Sequence, residues 1–193
     1  MTNFSKVWQC LFAWNVPPAS TKELASTQVV VTHAVDCEQD WSAGPGNTIL
    51  ADMARNMARW RSGGRGDTLP IVPQHEVLAA DETLPHFGIA GLGEGGYLRD
   101  HPATTDVVCR DQAEVCYEHE WRRVLVVTFP DHMWRACATY RKLGLIPVPA
   151  PMPSHKTARY YSRNARRWYM RRRWTFRMYE RLARLYFLWK GHI

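Results

Sequence analysis

His132 and Arg135 are the first side chains in this sequence whose types and spacing suggest chemistry. They follow the turn Thr128 to Pro130, which interrupts the apolar run Val124 to Val127. Residues three apart share one face of a helix, and the first helical turn favours negative charge through its unpaired N–H groups and its dipole. The sequence therefore predicts an anion-binding corner. Arg135 would anchor the anion, and His132, which titrates near neutral pH, is the candidate for proton transfer.

Both side chains also have an ordinary structural interpretation. A lone histidine is commonly bonded within the fold, and Arg135 could pair with Asp131 or Asp106 rather than with a ligand. Asp131 is itself placed to cap the start of the helix. Capping alone would explain Thr105 and Asp106 as well.

A strand–helix–strand unit would hold this corner in place. Val124 to Val127 is a continuous apolar run, which is typical of a parallel strand covered on both faces. The next helix would end at Gly144 and bury one face, formed by Met133, Ala136, Cys137 and Tyr140. Leu145 to Val148 predicts the second strand. In such sheets ligands bind at the carboxyl ends of strands, where residues 128–135 would lie.

The chain before this unit predicts further strands that alternate with helices. Strands are predicted at Thr27 to Val35 and at Leu69 to Val72, and helices are predicted to start at Asn47 and at Thr104 to Asp106. A short helix is predicted over Asp81 to Phe87. This alternation indicates an α/β fold, a Rossmann-like three-layer sandwich with a mostly parallel sheet.

Two loops contribute further candidate site residues. Gly91 to Gly96 resembles a phosphate-binding turn, but no apolar strand precedes it and no helix follows directly, so we interpret it as a flexible loop. Glu94 in this loop is a candidate ligand contact. His33 and Asp36, at the end of the first strand, are also candidates, because a binding pair is expected at a strand's carboxyl end.

Positive charge is concentrated at the carboxyl end of the chain. Residues 156–193 contain twelve Lys and Arg against the single acid Glu180, a net charge of +11, whereas the rest of the chain carries −4. One helical stripe there is basic: Arg173, Arg177, Arg181 and Arg184. A second stripe is apolar and aromatic: Phe176, Tyr179, Leu182, Tyr186 and Trp189.

These stripes predict an α/β domain of residues 1–153 and a basic, aromatic-rich helix over 154–193 that docks on it. We expect the docked side chains to be Tyr179, Leu182, Tyr186 and Trp189. As an alternative, the basic helix would be an interaction surface for anionic lipid or nucleic acid, since tyrosines and tryptophans interleave with its arginines.

Several functional classes lack support in the sequence. The five cysteines form no C-x-x-C pair and the eight histidines no i, i+4 pair, so we expect neither a disulfide framework nor a metal site. No G-x-S-x-G elbow of a hydrolase occurs. We expect no signal peptide and no membrane-spanning helix. A soluble protein of a reducing, cytoplasmic compartment is predicted, with any membrane contact peripheral and through the basic helix.

The order of these features resembles the YdcF-like domain family, which includes the SanA and ElyC types of bacterial proteins. The resemblance covers most of the chain. Its sharpest part is VLVVTFPDHMWRACATYRKLGL, in which the residues that match the family pattern are Thr128, His132, Arg135, Ala136 and Gly144. A second match is the Thr-Asp helix start with an arginine on the next turn, at Thr105, Asp106 and Arg110. A third is the closing apolar helix with Glu180 and Arg181.

The resemblance implies a Rossmann-like domain with a nucleotide-like ligand, which is S-adenosylmethionine in at least one relative. It implies ligand contacts at Thr105, Asp106, Arg110, Thr128, His132 and Arg135. Two loops that would border the ligand depart from the family, His33 to Asp36 after the first strand and Pro73 to His75 after the second. The predicted function is the binding of a small anionic or nucleotide-like ligand, with no reaction assigned.

Overall fold

The computed structural model describes residues 7–8, 11–12, 14, 16–35, 37–40, 42–61, 68–92, 104–152 and 160–192. Helices and strands alternate along most of this length. In chain order they are α1 (Thr21–Ala25), β1 (Val29–Thr32), α2 (Pro45–Arg61), β2 (Ile71–Val72), α3 (His75–Leu78), α4 (Thr105–Glu118), β3 (Arg123–Val127), α5 (Pro130–Lys142), β4 (Ile146–Pro149), a 3₁₀ turn (Trp168–Arg171) and α6 (Arg173–Lys190).

The four strands form one parallel sheet in the order β2-β1-β3-β4. The predicted α/β class with a mostly parallel sheet is therefore confirmed. β3 lies in the interior of the sheet, where its backbone bonds to strands on both sides. Its residues Val124 to Val127 are all buried, as expected for an uninterrupted apolar run covered on both faces.

Helical layers cover both faces of the sheet. Val30, Leu125 and Val127 face a core shared with α2 and with residues 160–176. Val31, Val124 and Val126 face a second core, shared with α4 and α5. Successive side chains of a strand point to opposite faces, so each strand contributes to both cores. The result is a three-layer sandwich.

The predicted unit around the anion-binding corner forms β3, α5 and β4. α5 starts with Pro130 in its first turn, where the missing N–H leaves no bond unmade. It ends at Lys142, and two residues later Gly144 has a φ of +80°, which is easily adopted only without a Cβ. Leu145 N then donates to Tyr140 O at 3.0 Å, which closes the helix and aims the chain into β4.

β4 is an edge strand and contains two prolines. Ile146 N donates to Arg122 O at 2.8 Å, and Ala150 N donates to Val126 O at 3.0 Å, so these N–H groups point toward β3. Pro147 and Pro149 occupy the alternate positions, whose nitrogens face away from β3. Proline costs this sheet no ladder bond there, which is why the strand tolerates both.

The predicted helix over Asp81 to Phe87 is wrong. The short helix lies earlier, at α3, and Asp81 instead closes a turn by accepting hydrogen bonds from Thr83 N at 3.1 Å and Thr83 Oγ1 at 2.7 Å. A short acidic side chain that bonds its own backbone competes with helix formation. Pro85 would also have removed a helical N–H.

The predicted docking face of the last helix is wrong for three of its four side chains, although a helix forms from Arg173 onward and Tyr179 is half-buried against the core. Leu182, Tyr186 and Trp189 are 67%, 52% and 77% exposed. The side chains that α6 turns inward are Phe176, Glu180, Ala183, Arg184 and Phe187. The physical reason is an ion pair between Glu180 and α5, which sets the rotation of α6 about its own axis. No helix in the described ranges is both long and apolar enough to cross a bilayer.

Three buried cysteines give a first testable expectation. Cys109, Cys116 and Cys137 lie in the core between the sheet, α4 and α5, and burial raises the pKa of each thiol, to about 12 for Cys116 and Cys137. Because thiolates are the reactive form, these thiols should resist an aromatic disulfide reagent at pH 8 and react once the chain is denatured. Peptide mass spectrometry would assign each site, and rapid native labelling of Cys109 would contradict the packing.

Candidate functional site

A cavity of about 430 Å³ lies at the carboxyl ends of the strands. Residues after β1 and β2, the starts of α4 and α5, and the segment from Arg167 to Phe187 form its walls. Its polar lining is small: His33, Gln74, Glu76, Thr104, Thr105, His132, Arg135 and Arg167. Its aromatic lining is Phe129, Tyr169, Phe176, Tyr179, Tyr186 and Phe187. Volume and lining are those of a small-molecule pocket.

The strand order explains why the cavity forms there. β1 connects to β2 on one side and β3 connects to β4 on the other, so the direction of the strand order reverses between β1 and β3. The connections that leave β1 and β3 therefore run in opposite directions and leave a crevice between them, which is the usual ligand position in open parallel sheets. His33 N still bonds to Val127 O at 3.0 Å, and Thr128 Oγ1 donates to His33 O at 3.3 Å, which fixes the floor of the crevice.

His33 is held by a chain of buried hydrogen bonds. Gln112 Nε2 donates to Thr32 O at 2.9 Å and to Val72 O at 2.8 Å, so its amide oxygen is the acceptor for the Tyr140 hydroxyl. Tyr140 Oη then has only lone pairs for His33 Nε2, 2.8 Å away, so this ring nitrogen carries the proton. Burial lowers the pKa of His33 well below its ordinary value, and the positive charge of Arg135 adds to the effect. The imidazole is neutral.

Arg135 is bound by a carboxylate of its own chain. Its Nε and Nη2 donate to the two oxygens of Glu180, at 3.0 Å and 2.8 Å, and its Nη1 donates to Thr105 Oγ1 at 2.8 Å. Arg184 Nε donates to the same carboxylate at 3.0 Å. Burial acts to raise the pKa of Glu180, but the charge of Arg135 outweighs it, and the value is held at about 2. Glu180 thus occupies the anion position predicted for this corner.

His132 lies between Arg135 and Thr105. Its Nδ1 is 3.3 Å from Arg135 Nη2 and 3.5 Å from a Glu180 oxygen, and its Nε2 is 3.5 Å from Thr105 Oγ1. A guanidinium nitrogen can only donate, so Nδ1 accepts from Arg135 and the ring proton lies on Nε2. Burial and the Arg135 charge lower the pKa of His132, against the opposing effect of Glu180. The ring is therefore neutral at pH 7.

The cavity is also lined by an acidic side chain, Glu76, and by two tyrosines, Tyr169 and Tyr179. Glu76 Oε2 is buried and makes no hydrogen bond within the described residues, its nearest basic atom being His75 Nδ1 at 3.6 Å. Burial acts to raise the pKa of Glu76, but the histidine and neighbouring donors lower it, so the carboxylate is ionised. The rings of Tyr169 and Tyr179 stack with centroids 3.8 Å apart, which forms a flat aromatic wall.

The sequence suggested that Asp131 caps α5, but in the structure it does not. Phe129 holds the cap position without a side-chain bond, and Asp131 lies inside the first turn. Its buried carboxylate accepts hydrogen bonds from Tyr161 Oη at 2.7 Å, Arg173 Nε at 2.7 Å and Arg177 Nη2 at 2.8 Å. These bonds fasten the segment before α6, and α6 itself, to the first turn of α5. Three of the four arginines in the predicted basic stripe, the third being Arg184, are therefore ion-paired within the chain.

The structure brings four of the predicted site residues together in the cavity wall: His33, Thr105, His132 and Arg135. Thr128 is buried beneath them, where its hydroxyl bonds the His33 carbonyl. Asp106 and Arg110 form an ion pair with each other on α4, at 2.7 Å, and do not line the cavity. Asp36 and Glu94 lie outside the described residues.

Gln74 and Glu76 line the cavity but were not among the predicted site residues, although the loop Pro73 to His75 was expected to border the ligand. Gln74 bonds Ala34 N at 2.8 Å through its side chain and donates to Thr32 Oγ1 at 3.1 Å through its backbone, which joins the ends of β1 and β2. Glu76 follows two residues later. The position of both just after β2 was a usable signal, because the carboxyl ends of neighbouring parallel strands meet at one edge. Tyr169 and Tyr179 carry no local signal, since only the docking of α6 brings them to the cavity.

Comparisons of the chain with protein-family models, curated proteins and solved structures give no match. The resemblance to the YdcF-like domains stays a prediction. No cluster of His, Cys, Asp and Glu with metal-binding geometry occurs among the residues that the structure describes.

Proposed function

We propose that the cavity binds a nucleoside-containing small ligand, with S-adenosylmethionine as the first candidate. One observation carries the proposal. A cavity at the reversal of the strand order combines a flat aromatic wall with a buried carboxylate oxygen, Glu76 Oε2, that has no hydrogen-bond partner in the described residues. The ion pair with His75, at 3.6 Å, supplies no hydrogen bond to this oxygen. A buried acceptor without a hydrogen bond is costly unless a ligand donates to it, so a donor group is expected in this position.

The hydroxyls of a ribose are suitable donors for such a carboxylate. A purine ring matches the stacked rings of Tyr169 and Tyr179, because planar aromatic groups pack well against one another. The neutral imidazoles of His33 and His132 and the hydroxyl of Thr105 would contact the polar end of the ligand. S-adenosylmethionine comes first because the resemblance to the YdcF-like domains implies it. A net anionic ligand is less favoured, since Glu180 already pairs with Arg135.

His132 is the group that we propose for proton transfer, since it is neutral, buried and part of the cavity wall. Thr105 and Arg135 fix its ring from both sides. We propose ligand binding as the function and assign no reaction to it.

Glu76→Gln should weaken the binding of S-adenosylmethionine and of adenosine by about 10- to 100-fold, the worth of one hydrogen bond to a charged group. Isothermal titration calorimetry measures this loss. Adenosine lacking both ribose hydroxyls should bind the wild type and the variant equally weakly. Glu82→Gln is the matched control, because Glu82 is exposed and outside the cavity wall. Equal affinity of wild type and Glu76→Gln for adenosine would remove the ribose from this position, and no binding of any nucleoside would refute the proposal.

A further inference from the structure

The outward face of α6 is an apolar stripe. Trp174, Met178, Leu182, Tyr186 and Trp189 follow one another at steps of three or four residues, so they share one side of the helix. All five are more than half exposed. From the first to the last the stripe is about 22 Å long at the helical rise per residue. A continuous exposed apolar patch of this kind usually marks a site where the protein contacts a partner or a membrane.

Positive charges border this stripe. Arg172 precedes the helix and is exposed, and Lys190 lies in the last turn. Arg181 lies beside the stripe, with Nη1 3.8 Å from Met178 Sδ. The single acid of residues 156–193, Glu180, is fully buried on the opposite side of the helix. The surface that a partner would meet is therefore apolar in the middle and basic around it.

This combination decides between occupants. A second copy of the chain would bring the basic borders of two helices together, and like charges repel. Nucleic acid could meet the basic border, but it offers no apolar depth for Met178 and Leu182. Arg173 and Arg177 are also tied to Asp131. An anionic lipid surface supplies negative charge at its headgroups and apolar depth beneath them, and tryptophan and tyrosine side chains prefer that boundary.

We propose that α6 docks this face on an anionic lipid surface, lying parallel to it. The proposal is independent of the ligand in the cavity. Leu182 and Tyr186 belong both to the stripe and to the cavity wall, so docking brings that wall close to the headgroups.

Co-sedimentation of the full chain with vesicles tests the proposal. The wild type should bind vesicles of equal parts phosphatidylglycerol and phosphatidylcholine, bind pure phosphatidylcholine at least about tenfold more weakly, and lose binding as salt is raised. Met178→Glu combined with Trp189→Glu should reduce binding at least about tenfold, because two apolar anchors become repelling charges. Trp60→Glu, at a half-exposed tryptophan on α2, is the matched control and should bind as the wild type does.

A second variant separates loss of docking from loss of folding. Arg172→Glu with Lys190→Glu alters only exposed charges and should weaken binding to the anionic vesicles while leaving the weak binding to phosphatidylcholine unchanged. Unchanged thermal unfolding would show that each variant is folded. Wild type that stays in the supernatant at low salt overturns the proposal. So does a concentration-dependent dimer, without vesicle binding, that Met178→Glu with Trp189→Glu abolishes, since a second copy then covers the face.

Discussion

A chain that ends at Pro153 is expected to unfold or aggregate. The missing segment contains four large side chains in the core, each at most 5% exposed: Tyr160, Met170, Phe176 and Phe187. Burial of a side chain of this size contributes about 1.5 to 3 kcal/mol. Their sum of about 6 to 12 kcal/mol is as large as the net stability of an ordinary domain, about 5 to 15 kcal/mol. The cut also leaves the buried guanidinium of Arg135 without its carboxylate.

Size-exclusion chromatography with light scattering, together with thermal unfolding, measures this outcome. A chain that ends at Lys190 is the control, because it keeps all of the buried side chains of α6. A truncated chain that stays monomeric with an unchanged melting temperature would contradict the prediction and make residues 154–193 a detachable arm.

Glu180→Gln should destabilise the protein by about 3 to 5 kcal/mol, the usual cost of removing one partner of a buried ion pair. The substitution preserves shape but removes the charge that pairs with the buried guanidinium groups of Arg135 and Arg184. Urea unfolding measures the change in the free energy of unfolding. Glu114→Gln is the control, because Glu114 is exposed on α4. A loss below about 1 kcal/mol would show that the carboxylate is not needed as a charge.

The same carboxylate predicts a dependence of stability on pH. Its pKa is about 2 in the folded protein against an ordinary 4.5, so ionised Glu180 stabilises the fold above about pH 4.5. That contribution, about 3 kcal/mol, is lost as the pH falls from about 4.5 to about 2, because the unfolded chain takes up the proton first. Unfolding curves across this range should fall less steeply for Glu180→Gln than for the wild type. Parallel curves would show that Glu180 is not responsible.

The sheet and its flanking helices were predictable because their signals are local. Val124 to Val127 and Leu145 to Val148 are apolar runs bounded by a turn and a glycine, and the helix between them repeats its buried residues at helical spacing. Burial of both faces of a parallel strand leaves no other placement for such runs. Because ligands bind at the carboxyl ends of parallel strands, the sequence also predicted that His33, His132 and Arg135 lie near one another.

The cavity depended on contacts that no local pattern encodes. Glu180 lies forty-five residues after Arg135 in the sequence, yet its carboxylate fills the position that was predicted for an anionic ligand. α6 carries apolar side chains on two of its faces. The more apolar face predicted that Leu182, Tyr186 and Trp189 would be buried. The structure turns Glu180 and Arg184 inward instead, because their ion pairs with α5 are made only in that rotation. Hydrophobic periodicity is a poor guide where a buried polar network decides the orientation.

The two prolines of β4 also affect how the edge of the sheet can interact with other chains. An edge strand normally offers a row of free N–H groups on which another chain can build a β-strand, the first step of amyloid-like assembly. At Pro147 and Pro149 the outward positions carry no donor, and the outward carbonyl of Pro149 already accepts a bond from Ala19 N at 3.3 Å. These positions therefore offer no N–H to a neighbouring chain, which disfavours edge-to-edge joining of crowded molecules on the β4 side of the sheet.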